Sequence, residues 1–317
     1  MSRVVNGQGE VSPETRAKVL AALAEVRYRP NTFARGLVSG RCQTLGVVVY
    51  SLHNPFFGGL CDAVERCARA AGYGLLVSTS DESPDREKGC IDMLLARGAD
   101  GVIIFPVDSG EVEGAQRVRE NGKAVVLVNA ITRDPLLPSV GTDSVKGGYL
   151  ATRHLIDLGY DRIVFVSRPV AYARRLDGYR EALRTAGREA RDEDVWCDVT
   201  DVSPSSLEQV ARRVARLSGR KAVVALNDEV AMALIAAAHN LGLKVPDDFG
   251  VVGYDNLTVG AILAPPLTSV SQPIGSLGEL AVAMLLNQLE GAPVSPPHVV
   301  LEPTLVVRES CGERMKT

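Results

Sequence analysis

Residues Tyr28–Val49 read YRPNTFARGLVSGRCQTLGVVV, a weak helix followed by a strong strand, and the way these two pieces are joined decides what the rest of the chain can be. Pro30 biases Arg29 away from helical backbone, and Asn31 is a good N-cap for the helix over Thr32–Val38. That helix spans about two turns, too short to be stable alone in water, and Gly36 within it costs about 1 kcal/mol relative to alanine. Ser39-Gly40-Arg41 breaks the helix, and Leu45–Val49 is an apolar strand. A helix this weak that still carries Phe33, Arg35 and Leu37 is expected to fold against a partner.

The strand opens a large αβ body. Strands are expected at Leu45–Tyr50, Leu75–Thr79, Gly101–Phe105 and Ala124–Val128, with helices between them at Pro55–Ala71, Pro84–Arg97 and Glu111–Asn121. After Asp143 the cycle restarts with helix Val145–Leu158, strand Arg162–Val166 and helix Arg174–Ala186. It continues with strand Val195–Cys197, helix Ser205–Leu217, strand Ala222–Ala225, helix Glu229–Leu241 and strand Gly250–Gly253. Strands and helices in strict alternation form parallel sheets covered on both faces. Ala71-Gly72-Tyr73-Gly74-Leu75 and Leu158-Gly159-Tyr160-Asp161-Arg162 both end a helix on glycine and start a strand, an internal echo that points to two related lobes.

A chain of 317 residues with 46% hydrophobic and 23% charged residues has the composition of a globular protein of two lobes and a small module. It has no apolar run of membrane-spanning length and no charged-then-apolar leader, so a cytoplasmic protein is expected. Its six cysteines (Cys42, Cys61, Cys67, Cys90, Cys197, Cys311) form no C-x-x-C pair and have no histidine at zinc spacing; free thiols are expected. The net charge of −3 hides an asymmetry: residues 1–45 carry seven basic and three acidic side chains, the remainder 28 and 35. A basic end on an acidic body suits local contact with phosphates while the body is kept away from them.

The run VSPETRAKVLAALAEVRYRPN (Val11–Asn31), then ARGL (Ala34–Leu37) and TLGVVV (Thr44–Val49), resembles the lac-repressor (LacI/GalR) family of bacterial transcription regulators. The resemblance runs from Ser2 to about Arg308. MSRVVNG (Met1–Gly7) is similar to the back end of that family's recognition helix. Ser12-Pro13-Glu14 starts a further helix, with Val19, Leu20, Leu23, Ala24 and Val26 at helical spacing. The resemblance implies a helix-turn-helix headpiece that is N-terminally truncated here; a downstream start, a shortened chain and a genuine loss remain open. It also implies DNA contacts by Arg3, Asn6, Ser12, Tyr28, Asn31, Ala34 and Leu37, the leucine wedging into the minor groove.

For the body, the resemblance implies the α/β, periplasmic-binding-protein-like class: two doubly wound parallel sheets, with three interlobe crossings near residues 144, 273 and 298. The expected division is a partial headpiece over 1–30 and a hinge helix and linker over 31–44. An N-subdomain occupies 45–144 plus 274–298, and a C-subdomain 145–273 plus 299–317. Ligands in open αβ sheets sit beyond the carboxyl ends of the strands. Ser51-Leu52-His53-Asn54-Pro55-Phe56-Phe57 comes after the first strand there, and Phe56 and Phe57 are expected to stack on an effector ring or to pack helix on sheet. Phe105-Pro106-Val107-Asp108 and Asn129 come after later strands; relatives often carry aspartate in place of Asn129. The resemblance assigns effector contacts to Arg175 in ARRLDGY, to Asn227 beside Asp228, and to Asp255 in VVGYDN. A carboxylate that accepts and a guanidinium that donates suit a polar effector such as a sugar or polyol. Val202 and Ala171 stand where relatives place bulkier or polar contacts, which leaves the identity of the effector open.

No G-x-G-x-x-G, P-loop or G-x-S-x-G elbow comes after a strand, and His53, His154, His239 and His298 show no metal spacing. No catalytic constellation, metal or cofactor is therefore expected. The expected protein is a homodimeric regulator, with a tetramer left open, whose partners are operator DNA and a small effector. A solute-binding protein that does not touch DNA is the competing reading, though it would have no use for VSPETR or ARGL. With a complete headpiece, Leu37→Ala is expected to weaken specific operator binding far more than non-specific binding, because inserting the leucine repays the cost of unstacking. The salt slope should not move, since no phosphate contact is lost. Equal losses on both kinds of DNA in a salt-titrated binding assay would make Leu37 a packing residue.

Overall fold

Valine-rich runs alternate with helices that begin on a capping side chain followed by proline, and the alternation assembles two parallel sheets. The computed structural model describes residues 12–25, 41–106, 112–130, 132–168, 173–199 and 201–312. The stretch expected to form the hinge helix, Thr32–Val38, lies outside the described residues. After an N-terminal helix α1 (Pro13–Glu25), the first lobe is built from β1 (Thr44–Val49), α2 (Pro55–Ala70), β2 (Gly74–Thr79), α3 (Pro84–Ala96), β3 (Gly101–Ile104), α4 (Glu113–Glu120), β4 (Ala124–Val128) and β5 (Ser139–Thr142). The second holds α5 (Ser144–Asp157), β6 (Arg162–Val166), α6 (Ala173–Thr185), β7 (Val195–Trp196), α7 (Pro204–Ala215), β8 (Lys221–Ala225), α8 (Asp228–Asn240), β9 (Gly250–Asp255) and β10 (Thr268–Ser271). The chain returns to the first lobe through α9 (Ile274–Leu289) and β11 (His298–Leu301), and β12 (Thr304–Val306) joins the second.

The sheet orders are β11-β5-β4-β3-β1-β2 and β12-β10-β9-β8-β6-β7. Strand for strand they are the same arrangement, in keeping with the glycine-terminated echo: Gly72 (φ 81°) and Gly159 (φ 75°) both close a helix in the left-handed region. Three helices share one start. Asn54, Ser83 and Ser203 each accept an amide hydrogen bond, from Phe56 at 2.8 Å, Arg86 at 3.4 Å and Ser206 at 3.3 Å, with proline at the next position. β1 lies between β2 and β3, and Val47, Val48 and Val49 are fully buried there, which is why this strand reads as a continuous apolar run.

The sequence pattern misses β5 and β10. SVGT and TSVS are four-residue segments, too polar and too short to show a strand signature. The third crossing also differs from the expectation of a crossing near 298 with Val299–Arg308 in the second lobe. His298–Leu301 pairs in parallel with Ser139–Thr142 of the first sheet, so the crossing falls between Leu301 and Thr304. The uncovered side of β5 supplies the reason: Ser139 N–H donates to the Pro297 carbonyl at 2.8 Å, and Asp143 N–H to that of Leu301 at 2.9 Å. Without β11, these groups would belong to an open sheet edge. β12 alone joins the second sheet, antiparallel to β10.

Helices α5 and α6 meet backbone to backbone. A Cβ on Gly178 would lie 1.9 Å from the Val145 carbonyl oxygen, and one on Gly148 would lie 2.0 Å from that of Arg175. This contact fixes where Arg175 emerges from α6. Because the opposing atoms are main chain, they have no rotamer to yield. Gly178→Ala is expected to destabilise the protein by about 3 kcal/mol, the upper end of overpacking costs. Gly58→Ala, on the exposed face of α2 with nothing within 4 Å of a new Cβ, should be neutral or add up to about 1 kcal/mol. Urea unfolding of the two variants checks the contrast, and equal midpoints would contradict close α5–α6 packing.

Candidate functional site

Of the residues expected at the carboxyl ends of the strands, Arg175 is brought to Asp255, which is joined there by Gln272. The backbone is left-handed at Asp255 (φ 108°) and Asn256 (φ 52°), a sparsely populated region for residues other than glycine that surrounding contacts must enforce. Asp228, fully buried at the start of α8, supplies much of that enforcement. Its carboxylate accepts Leu257 N–H at 2.7 Å and Ser269 Oγ–H at 2.6 Å. Ser269 Oγ in turn accepts Asn256 N–H at 3.0 Å, and Arg308 donates to Asn256 Oδ1 at 2.8 Å. Burial pushes the Asp228 carboxyl up to about 6, against the pull of the Ser269 and Leu257 hydrogen bonds.

Asp255 itself is 5% exposed. Gln272, in the second crossing, donates to its Oδ1 at 2.7 Å, and the Arg175 guanidinium stands 3.8 Å away. At that distance the pair is an ion pair without a hydrogen bond. Arg175 lies over the Tyr254 ring, 3.6 Å from the centroid, and donates to the Leu226 carbonyl. Burial pushes the Asp255 carboxyl up to about 7, more than Arg175 and Gln272 pull it down, with Asp228 adding to the rise. Two charges buried at this spacing do not recover their desolvation in full. The carboxylate is therefore poised to gain from any further donor, such as a ligand hydroxyl.

The other expected residues have partners of their own. Asn227 caps α8, accepting Val230 N–H at 3.0 Å. Asn129 (φ 54°) comes just after β4, and its Oδ1 accepts Thr142 N–H at 2.8 Å, stapling β4 to β5. Its acceptor is thus occupied by the main chain, which leaves its amide donors for another partner. Phe56 and Phe57 are buried in an edge-to-face cluster with Tyr50 and Phe105, at centroid distances of 4.9 to 6.0 Å. Leu257 and Met232 of the second lobe belong to the same hydrophobic core as these rings, so apolar packing continues from one lobe to the other. Val202 packs into the second-lobe core, and Ala171 and Asp108 lie outside the described residues.

Several participants are missed by sequence reasoning. Gln272 stands in a Ser-Gln-Pro break between strand and helix, and Tyr254 inside the Gly-Tyr-Asp turn itself, so both carry a local signal. Polar groups also bridge the lobes: Arg168, just after β6, pairs with Glu82 of the first lobe at 2.6 Å. Beside them, burial raises the Glu229 carboxyl, opposed by Arg168 and by hydrogen bonds to Asn227 and to Asn54 of the first lobe. Only the fold brings residues 82, 168 and 229 together.

Of the expected DNA-contacting residues, Ser12 starts α1, its Oγ accepting Thr15 N–H at 3.3 Å. Arg3, Asn6, Tyr28, Asn31, Ala34 and Leu37 lie outside the described residues. Among the described residues no group of histidine, cysteine, aspartate and glutamate could hold a metal ion, and no helix is long and apolar enough to cross a membrane.

Comparison with known proteins bears on the fold and the family. Residues 1–31 match the family described as bacterial regulatory proteins, lacI family, and residues 152–311 match the periplasmic binding protein-like domain. The chain is 32% identical to catabolite control protein A of Priestia megaterium, over 98% of this chain and 94% of that protein. Its fold is similar to that of the lac repressor dimer bound to operator and the anti-inducer ONPF, with a TM-score of 0.85 at 27% identity, covering 98% of this chain and 94% of that one. A CelR–cellobiose complex is similar with a TM-score of 0.74 at 31% identity, covering 98% and 94%.

The raised carboxyls have a signed consequence. A carboxyl whose folded value lies above its unfolded one binds protons preferentially in the native state. Asp255, near 7 in the folded protein against an ordinary 3.8, therefore lowers stability as pH rises from about 4 to about 7. Asp255→Asn should flatten that part of the pH–stability curve, measured by urea unfolding at pH steps. Identical slopes for variant and parent would show that Asp255 titrates normally.

Proposed function

The chain belongs to the LacI family of bacterial transcription regulators, and from that premise we propose that it binds operator DNA as a homodimer under the control of a small polar effector of the saccharide class, bound between its lobes. The observation that carries this reading is the Asp255–Arg175–Gln272 centre, buried where both sheets end and reached by an interlobe crossing. Asp255 accepts effector hydroxyls, Arg175 and the amide of Asn129 donate to them, and Asn227 lies at the start of α8. Phe56 and Phe57 belong to the buried first-lobe core behind the start of α2. The cellobiose in the CelR complex and the anti-inducer on the lac repressor dimer support a ligand of this kind.

The headpiece over 1–30 and hinge over 31–44 supply the DNA contacts, with Ser12 starting the helix after the recognition segment. We divide the body into subdomains over 45–144 plus 274–301 and 145–273 plus 304–317, a division supported by the pairing of β11 with β5 and of β12 with β10. Dimerisation is supported by apolar surface: β2 is a sheet edge, with Val77 39% exposed, and Ile262 is 82% exposed. A second copy laid on such surface would remove it from water. The protein acts in the cytoplasm as a regulator and not as a catalyst. The match over residues 1–31 favours this over a solute-binding protein.

Trp196 is the single tryptophan, and its carbonyl accepts Ser167 N–H at 2.8 Å, next to the interlobe residue Arg168. Closure around a ligand should change its fluorescence. Titrating pentoses, hexoses, disaccharides and polyols is expected to find a responding ligand. Asp255→Ala and Arg175→Ala should each weaken its binding roughly ten- to a hundredfold, the equivalent of about 1–3 kcal/mol for unpaired buried hydroxyls. If both variants melt early yet bind normally per folded molecule, the two residues are structural and the site lies elsewhere.

A further inference from the structure

The segment that enters β1 is tied to four other elements of the first lobe. Asp100, 3% exposed just before β3, accepts Cys42 N–H at 3.0 Å through Oδ1 and Thr44 N–H at 3.2 Å through Oδ2. Between them Gln43 is left-handed (φ 52°), and its carbonyl accepts Gly74 N–H at 2.9 Å at the start of β2. Cys42 Sγ sits against Gly98 beyond α3, where an added Cβ would come within 2.9 Å of it. Arg41 donates to the carbonyl of Leu289, the last residue of α9. That end of a helix carries partial negative charge, and α9 has no basic residue in its own last turn. Arg41 supplies the cation from outside.

The opposite end of α9 lies at the cleft. It begins immediately after Gln272 and Pro273, and Gln272 holds Asp255 while its Oε1, also buried, has no hydrogen-bond partner among the described residues. Between its ends the helix is closely seated. A Cβ on Gly278 would lie 2.6 Å from Ala63 Cβ of α2, and Leu285 packs where a Cβ on Gly101, the neighbour of Asp100, would come within 3.1 Å. Gln288 bonds both main-chain groups of Val125, at 3.2 and 2.9 Å. Sixteen residues at 1.5 Å each give a rod about 24 Å long.

We propose that α9 carries the state of the interlobe cleft to the segment that precedes β1, with Gln272 as a positioning residue at the cleft end and Arg41 and Asp100 as positioning residues at the other. The proposal rests on the reading of the chain as a cleft-controlled regulator. A helix held at each end by hydrogen bonds and along its length by main-chain contacts moves as one body. A change in the Gln272–Asp255 bond therefore reappears at the Leu289 carbonyl and in the backbone that Asp100 grips. Coupling of this kind needs a difference in energy between two states at both ends.

The test uses hydrogen exchange of the Cys42 and Thr44 amides in the full chain, which needs neither operator nor effector, so a failure to bind DNA leaves the result readable. Gln272→Ala is expected to speed exchange at both amides by about fivefold or more, the lower range of coupling between sites, with Val47 and Val48 unchanged. In an Arg41→Ala background the same substitution should change those amides by less than about twofold, and Arg41→Lys should restore most of the response. Should Gln272→Ala fail to fold, Gln272→Asn shortens the reach to Asp255 while keeping the amide. Unchanged exchange at Cys42 and Thr44, or an equal response with and without Arg41, overturns the proposal.

Discussion

A carboxylate taken out of water at the end of β9 sets the terms for this molecule. Asp255 is buried, its backbone is left-handed, and its carboxyl is pushed up to about 7 because Arg175 and Gln272 do not fully replace lost hydration. Each of these features depends on distant parts of the chain. Arg175 reaches the site because α5 and α6 approach through glycines. The turn after Asp255 is enforced by Asp228 from α8 and Arg308 from near the C-terminus. Gln272 arrives from the crossing itself. Residual strain and incomplete solvation are kept where a ligand can relieve them, as expected when a site is prepared for an occupant.

The lobes meet by two kinds of contact with different physics. Leu257 and Met232, sharing one hydrophobic core with first-lobe residues, form a non-directional apolar seam. The Arg168–Glu82 pair, both members partly exposed, is screened by solvent and contributes little stability alone. Because it has direction and reach, it sets how the lobes register. An apolar seam has little directional preference, so the charged pair is what distinguishes one register of the lobes from another. A ligand can then shift the balance by binding one arrangement better.

Much of this architecture is legible in the sequence because the signals are local. Asn54-Pro55, Ser83-Pro84 and Ser203-Pro204 announce helix starts, Gly72 and Gly159 announce helix ends, and valine runs mark strands buried on both faces. Resemblance to the family singles out Asp255 in its Gly-Tyr-Asp turn and Arg175 in ARRLDGY, and the fold brings the two side chains within 3.8 Å. What is not legible is what only folding creates. β5 and β10 are strands because neighbours pair with them, not because SVGT or TSVS prefers extension. β11 belongs to the first sheet because β5 has an open side. Phe56 and Phe57 carry the same aromatic signal whether they face a ligand or pack on Tyr50 and Phe105. Glu82, Arg168 and Glu229 are far apart in sequence and share no motif.

On the proposed function, occupation of the cleft and binding of DNA are one equilibrium, and thermodynamic reciprocity gives that claim a direct test. Calorimetry would measure affinity for the saccharide that moves the Trp196 signal, first with free protein and then with protein saturated by operator. The factor by which operator changes saccharide affinity must equal the factor by which saccharide changes operator affinity, about 5- to 150-fold for ordinary coupling. That equality is the predicted result, with the factor collapsing toward one in Asp255→Ala. Saccharide affinity that is the same on free and operator-bound protein would contradict it.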